Sequence, residues 1–149
     1  MKDTATLLHE WRQLRIKLQE NFTEDNLQDI ITWWRRLETH VNGFDFDRTE
    51  SWTDVWQYVA DGFFTKSGNG LACFMTLCHS CPDKEPELWL VHDLLHTNLY
   101  LITYVDGYVL NRSSGELEKY EDVKSDIDIL TKHTKDSVLQ AIKYNNQGK

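Results

Sequence analysis

Proline is nearly missing from this 149-residue chain, which has two, and glycine is sparse at seven. Collagen-like and low-complexity classes are thereby excluded. Cysteine is limited to Cys73, Cys78 and Cys81, an odd number crowded into one stretch, so there is no disulfide framework. No window approaches the ~20 apolar residues of a membrane span. The first ten residues, Met1 to Glu10, lack the apolar core and cleavage pattern of a secretory signal. Basic residues are outnumbered, 16 Lys and Arg against 24 Asp and Glu, for a net charge of −8. Nucleic acids and anionic membrane surfaces both favour a basic face. These absences predict a cytoplasmic protein with reduced thiols that binds neither nucleic acid nor membrane.

What is present is enough for one folded domain. Hydrophobic residues make up 40% of the chain and charged residues 27%, the balance of a chain with a core. Leu7, Leu8, Trp11, Leu14 and Leu18 recur at helical spacing. Thr23 then reads as an N-cap, with Glu24 and Asp25 in the first turn of a second helix carrying Leu27, Ile30, Ile31, Trp34, Leu37 and Val41. Asn42-Gly43 marks its end. Ser51 and Asp54 form a capping-box pattern before a third helix with Trp52, Val55, Trp56 and Val59 on its apolar side. After a turn at Asp61-Gly62, Thr65 to Gly70 reads as a polar loop, and Leu71 to Cys78 as the start of a buried helix. From Leu88 the pattern becomes β: Leu88–Val91, Asn98–Val105, Tyr108–Asn111 and Glu116–Tyr120, with a hairpin signal at Asp106-Gly107. Ile127 to Tyr144 reads as a weaker helical stretch. Helices followed by a small antiparallel sheet predict an α+β fold. It is a single domain over 1–149: a helical extension over 1–45, a core over 50–122, and a C-terminal helix and tail over 123–149.

Three groups of residues could carry chemistry. Cys73 follows a Gly-containing loop at an expected helix start, where free N–H groups and the helix dipole favour a thiolate. The same residue, flanked by Phe74, Met75 and Leu77, also suits a core helix. His96 precedes a strand, and Asn111 ends the next one; a thiol nucleophile needs such a base and such an orienting group. Cys73, Cys78 and Cys81 have iron–sulfur-like spacing, which His92 or His96 could complete as a zinc site. The bulky residues between the cysteines favour a core helix, so no metal or cofactor is expected. Trp33 lies beside the apolar stripe of the second helix and suits either the core or a partner-binding anchor.

The stretch from Trp52 to Tyr120 resembles the bacterial transglutaminase-like cysteine proteinases of the papain-like and transglutaminase-like superfamily. Its matching parts are Trp52-Thr53 with Tyr58-Val59, Gly68-Asn69-Gly70 before Cys73, His96 with Leu99, Val109-Leu110-Asn111, and Gly115-Glu116-Leu117 with Tyr120. His96 and Asn111 stand fifteen positions apart, a common interval in that family. The resemblance implies a transglutaminase-like or papain-like core, a small antiparallel sheet packed on helices, and an added N-terminal helical pair. It implies a cysteine-dependent hydrolase or acyl transferase acting on an amide, isopeptide or thioester bond of a protein or peptide. Cys73 would attack, His96 would move the proton, and Asn111 would hold the imidazole. The Cys73 N–H and the side chain of Gln57 or Asn69 would face the oxyanion. Ala72 stands where the family has Gly-Asp, Phe74-Met75 where it has an acidic pair, and Asn111 where it has Asp. These departures suit the alternative, a non-catalytic acidic interaction or inhibitor protein on the same fold. Small size and acidity suit a divergent phage-type member. A two-residue turn at Asp106-Gly107 would hold His96 and Asn111 apart; a four-residue turn over Thr103–Asp106 would bring them together.

Overall fold

The computed structural model describes residues 3–37, 54–61 and 65–147. The elements run α1 (Thr4–Glu20), α2 (Glu24–Leu37), α3 (Val55–Asp61), α4 (Lys66–Ser80), β1 (Glu87–Asp93), β2 (Asn98–Val105), β3 (Tyr108–Leu110), β4 (Glu118–Lys119), α5 (Tyr120–Val123), β5 (Ile127–His133) and α6 (Lys135–Gln147). The Asn42-Gly43 stop, Ser51, Trp52 and Gly62 lie outside the described residues.

Short polar side chains start the helices. Asp3 Oδ1 accepts from the Thr6 N–H at 2.8 Å, Thr23 Oγ1 from Asn26 at 3.2 Å, Asp54 Oδ1 from Gln57 at 2.8 Å and Thr65 Oγ1 from Gly68 at 3.1 Å. Each bond satisfies one of the N–H groups that a helix start leaves without a partner.

The sheet has the order β4-β3-β2-β1-β5 and is antiparallel throughout. It separates two apolar clusters. Leu88, Leu101, Val105 and Leu110 face the helices and pack with Trp11, Trp34, Phe74, Leu77 and Val138. Trp89, Val91, Tyr100, Ile102 and Val109 face the other way, against Val123 and Ile127. Strand alternation produces both faces, since successive side chains point to opposite sides.

Three expected elements differ; the strand expected over Glu116–Tyr120 narrows to Glu118–Lys119, and Tyr120 opens α5. The stretch over 127–144 divides into β5 and α6. Ile127 and Ile129 repeat at period two and pack on the second face, so the β pattern wins until Thr134 caps α6. The polar segment after Thr65 is helix, so α4 begins five residues earlier than the sequence pattern implied.

The N-terminal helices are tied in through Thr76 of α4. Its hydroxyl accepts from Trp11 Nε1 at 2.8 Å and Trp34 Nε1 at 3.3 Å, and donates to the Ala72 carbonyl at 2.7 Å. Trp11 and Trp34 are fully buried, while Trp33 is half-buried and donates to Glu10 Oε1 at 2.9 Å.

Candidate functional site

The start of α4 is set by close packing. A Cβ on Gly70 would lie 2.5 Å from the Leu101 carbonyl oxygen, and one on Gly68 would lie 2.5 Å from the Tyr58 hydroxyl. These glycines let the first turn rest on β2 on one side and on α3 on the other. Thr103 Oγ1 donates to the Gly70 carbonyl at 2.7 Å and closes the first contact. Tyr58 donates to Asn69 Oδ1 at 2.9 Å and accepts from the Thr65 N–H at 3.0 Å. Ser67, buried, is the small polar residue in this turn.

Cys73 lies two turns inside α4, 1% exposed in the main core. Burial pushes its thiol up to about 12. Both facts oppose thiolate formation, and neither the helix N-terminus nor its dipole reaches this depth. The expectation that Cys73 stands at a helix start is therefore corrected.

His96 lies exposed in the turn Leu94–Thr97 that joins β1 to β2. The β2–β3 hairpin uses the two-residue turn, with Val105 opposite Tyr108 and Thr103 opposite Leu110. Asp106 and Gly107 have φ of 50° and 86°, the left-handed pair that a tight hairpin requires. Continuing this register sets Asn111 opposite Ile102, four residues along β2 from Asn98, ~13 Å at strand rise, and His96 lies beyond Asn98 in the turn. The four-residue turn that the triad needed is not formed.

Asn111 is a clamp. At φ 76° its Nδ2 donates to the Lys66 carbonyl at 2.7 Å and the Leu101 carbonyl at 2.9 Å, joining the start of α4 to β2. Asn69, one oxyanion candidate, is 1% exposed with both ends engaged: Oδ1 by Tyr58 and Nδ2 on the Trp34 carbonyl at 3.2 Å. Gln57, the other, is exposed on α3. The structure thus gathers Asn69 and Asn111 around the first turn of α4, with Cys73 two turns deeper in the helix and His96 in the β1–β2 turn.

A polar network that the sequence analysis missed lies beside this turn. Asp93 is fully buried; its Oδ2 accepts from the Tyr100 hydroxyl at 2.5 Å and from Ser113 Oγ at 2.9 Å, and its Oδ1 accepts from the N–H groups of Leu95 and His96. Burial raises its carboxyl, but those four hydrogen bonds outweigh it and hold the group below its usual value. Burial, and then Asp93, push the Tyr100 phenol up to about 12. Lys66 Nζ sits 4.4 Å over the Tyr100 ring and donates to Ser113 Oγ at 3.3 Å. Arg112 grips Glu118 at 2.6 and 2.8 Å, and its Nη1 is 3.9 Å from Asp93. The available signal was Asp93 itself, a carboxylate at an inward position of an apolar strand.

The three cysteines gather no ligand set. Cys78 is pushed up to about 12 by burial, and Cys81 is also raised, first by burial. Among the described residues, no three His, Cys, Asp or Glu side chains converge as metal ligands, and no helix is long and apolar enough to cross a membrane.

Comparison of the whole fold finds solved structures like it. LapG of Legionella pneumophila superposes with a TM-score of 0.63 at 13% identity, covering 89% of this chain and 76% of LapG. The EGTA-treated form of LapG gives the same score and identity over 89% of this chain and 74% of that one. LapG is a transglutaminase-like cysteine protease. The fold of this chain, mixed helix and sheet with a small antiparallel sheet, is similar to that of LapG. No protein-family model matches the sequence, and no curated protein matches it. At this identity the likeness concerns the fold, and it does not extend to a phage-type member.

Proposed function

We propose that this chain is a non-catalytic protein-binding member of the transglutaminase-like fold. One observation carries the reading: the first turn of α4 holds Ser67 and no cysteine, while Cys73 lies two turns deeper, sealed in the core. A cysteine enzyme needs a thiolate within hydrogen-bond reach of its base. The burial of Cys73 and the exposed position of His96 in the β1–β2 turn both argue against that pairing. Acidity supports a role in binding basic protein surfaces.

A second reading is a cysteine-dependent hydrolase or acyl transferase on protein substrates through Cys73, His96 and Asn111. The likeness to LapG favours it. It requires α4 to open so that Cys73 meets solvent.

Native-state alkylation with iodoacetamide, followed by mass spectrometry between pH 6.5 and 9, separates the two. The non-catalytic reading expects Cys73 to stay unmodified until the protein unfolds. It also expects a Ser67→Cys variant to gain a thiol that alkylates faster than Cys73, because the new group stands at the helix start. Fast modification of Cys73 below pH 8 that disappears in His96→Ala would refute the proposal and establish the second reading.

A further inference from the structure

A pocket of about 300 Å³ lies between the start of α2 and the β4–α5 segment, lined by Glu24, Tyr108, Leu117, Glu118, Lys119, Asp122 and Val123. We infer that it receives the side chain of a lysine or arginine from a basic segment of a partner protein. The inference rests on the protein-binding reading above and assigns it a surface.

The pocket is already built. Leu117 N–H donates to Gln28 Oε1 at 2.6 Å, and Gln28 Nε2 donates to the Gly115 carbonyl at 3.1 Å, which fixes α2 against the loop after β3. Tyr120 N–H donates to the Gly107 carbonyl at 2.8 Å and holds the opposite wall. Nothing has to open before a ligand enters, so little ordering opposes binding.

The lining selects the occupant. Tyr108, Leu117 and Val123 offer apolar surface for a methylene stem. Long cationic side chains bury such stems while their charged ends reach polar groups. Both oxygens of Glu118 are held by Arg112, so that carboxylate is satisfied. Glu24 and Asp122 are exposed and have no ion-pair partner among the described residues. They outnumber Lys119, the single cation of the lining. A small anion meets the wrong sign, and a neutral apolar group gains nothing from the two carboxylates. At 300 Å³ the space lies at the small end of ligand sites, which suits one long side chain. The −8 charge of the chain draws a basic segment toward this surface.

The test is an NMR titration of the intact isotope-labelled chain with acetyl-Gly-Gly-Lys-Gly-Gly-amide and its arginine, norleucine and glutamate counterparts, with free spermidine as a further arm. The expected result is saturable shifts centred on Leu117, Lys119 and Val123 with the lysine and arginine peptides only. Raised salt should weaken them, and Glu24→Gln or Asp122→Asn should each weaken them by up to about fivefold, the scale of a partly exposed ion pair. Three results would overturn the assignment: no shifts at the pocket, equal binding of the norleucine peptide, or shifts spread over the acidic surface and indifferent to both substitutions. Tighter binding of spermidine than of either peptide would overturn the choice of a protein segment. Alkylation of Cys73 reads the proposed function separately, so a failure of the pocket assignment and a failure of that reading are distinguishable.

Discussion

Thr76 is where the N-terminal helices should prove most fragile. Its hydroxyl is fully buried, accepts from two indoles and donates to a backbone carbonyl. Thr76→Val keeps the shape and removes the acceptor, leaving the Trp11 N–H facing a methyl group and taking one acceptor from Trp34. An unsatisfied buried donor costs about 1–3 kcal/mol, so the substitution should destabilise by about 2–4 kcal/mol, the 3.3 Å bond contributing the smaller share. Thr76→Ser keeps the hydroxyl and loses one methyl group, for about 1 kcal/mol. The hydroxyl therefore outweighs the methyl group. Urea unfolding of the parent and both variants, followed by tryptophan fluorescence, reads the order directly. Thr76→Val as stable as Thr76→Ser would refute the hub, because packing alone would then account for the site.

Gly70→Ala should lower stability by about 2–3 kcal/mol despite better helix propensity, since the new Cβ lies 2.5 Å from the Leu101 backbone; thermal unfolding no lower than the parent's would contradict that packing. Asp93→Ala should cost about 3–5 kcal/mol, because Tyr100, Ser113 and Arg112 all lose a buried charge partner; a change under about 1 kcal/mol in urea unfolding would mean the network is incidental. Burial holds His79 and His133 below the ordinary 6.5, with Arg15 adding to the effect at His79. The unfolded chain then binds protons first, so stability should be level above about pH 7 and fall as pH drops through 6.5. Urea midpoints unchanged between pH 7.5 and 5.5 would exclude that linkage.

The β2–β3 hairpin was legible because two signals agreed there. Asp106-Gly107 specifies a tight turn, and the runs on either side have strand periodicity, so β2 and β3 fall close to their expected limits. Residues 66–70 were not legible because glycine carries opposite meanings. Gly68 and Gly70 read locally as loop, yet they are helical positions chosen for the approach of Tyr58 and Leu101, a tertiary fact. That single misplacement moved the apparent helix start to Cys73 and supplied a nucleophile. Thr65 was the overlooked clue, since its N-cap bond fixes where α4 begins. In the β5–α6 region, apolar residues continued through a change of period, and composition alone could not locate the break.

Asn111 decides between the two readings more sharply than any cysteine substitution. In a catalytic triad, Asp at this position would orient and stabilise an imidazolium better than Asn does. In the clamp geometry, Asn111 must donate, because both partners are carbonyl oxygens, at 2.7 and 2.9 Å. Asn111→Asp replaces that donor with an acceptor and sets a carboxylate against two carbonyls. Two lost hydrogen bonds at about 1 kcal/mol each, with added repulsion, predict a loss of about 2–4 kcal/mol at pH 7. The new carboxyl would have a raised pKa in the folded state, so protonation would restore one donor. The stability difference from the parent should therefore shrink as pH falls through the carboxylate range, the reverse of what a salt-bridged Asp gives. Urea unfolding of both proteins from pH 7.5 down to 4.5 measures it. An Asn111→Asp protein as stable as the parent at pH 7, and more reactive toward iodoacetamide at Cys73, would overturn the clamp and restore the triad.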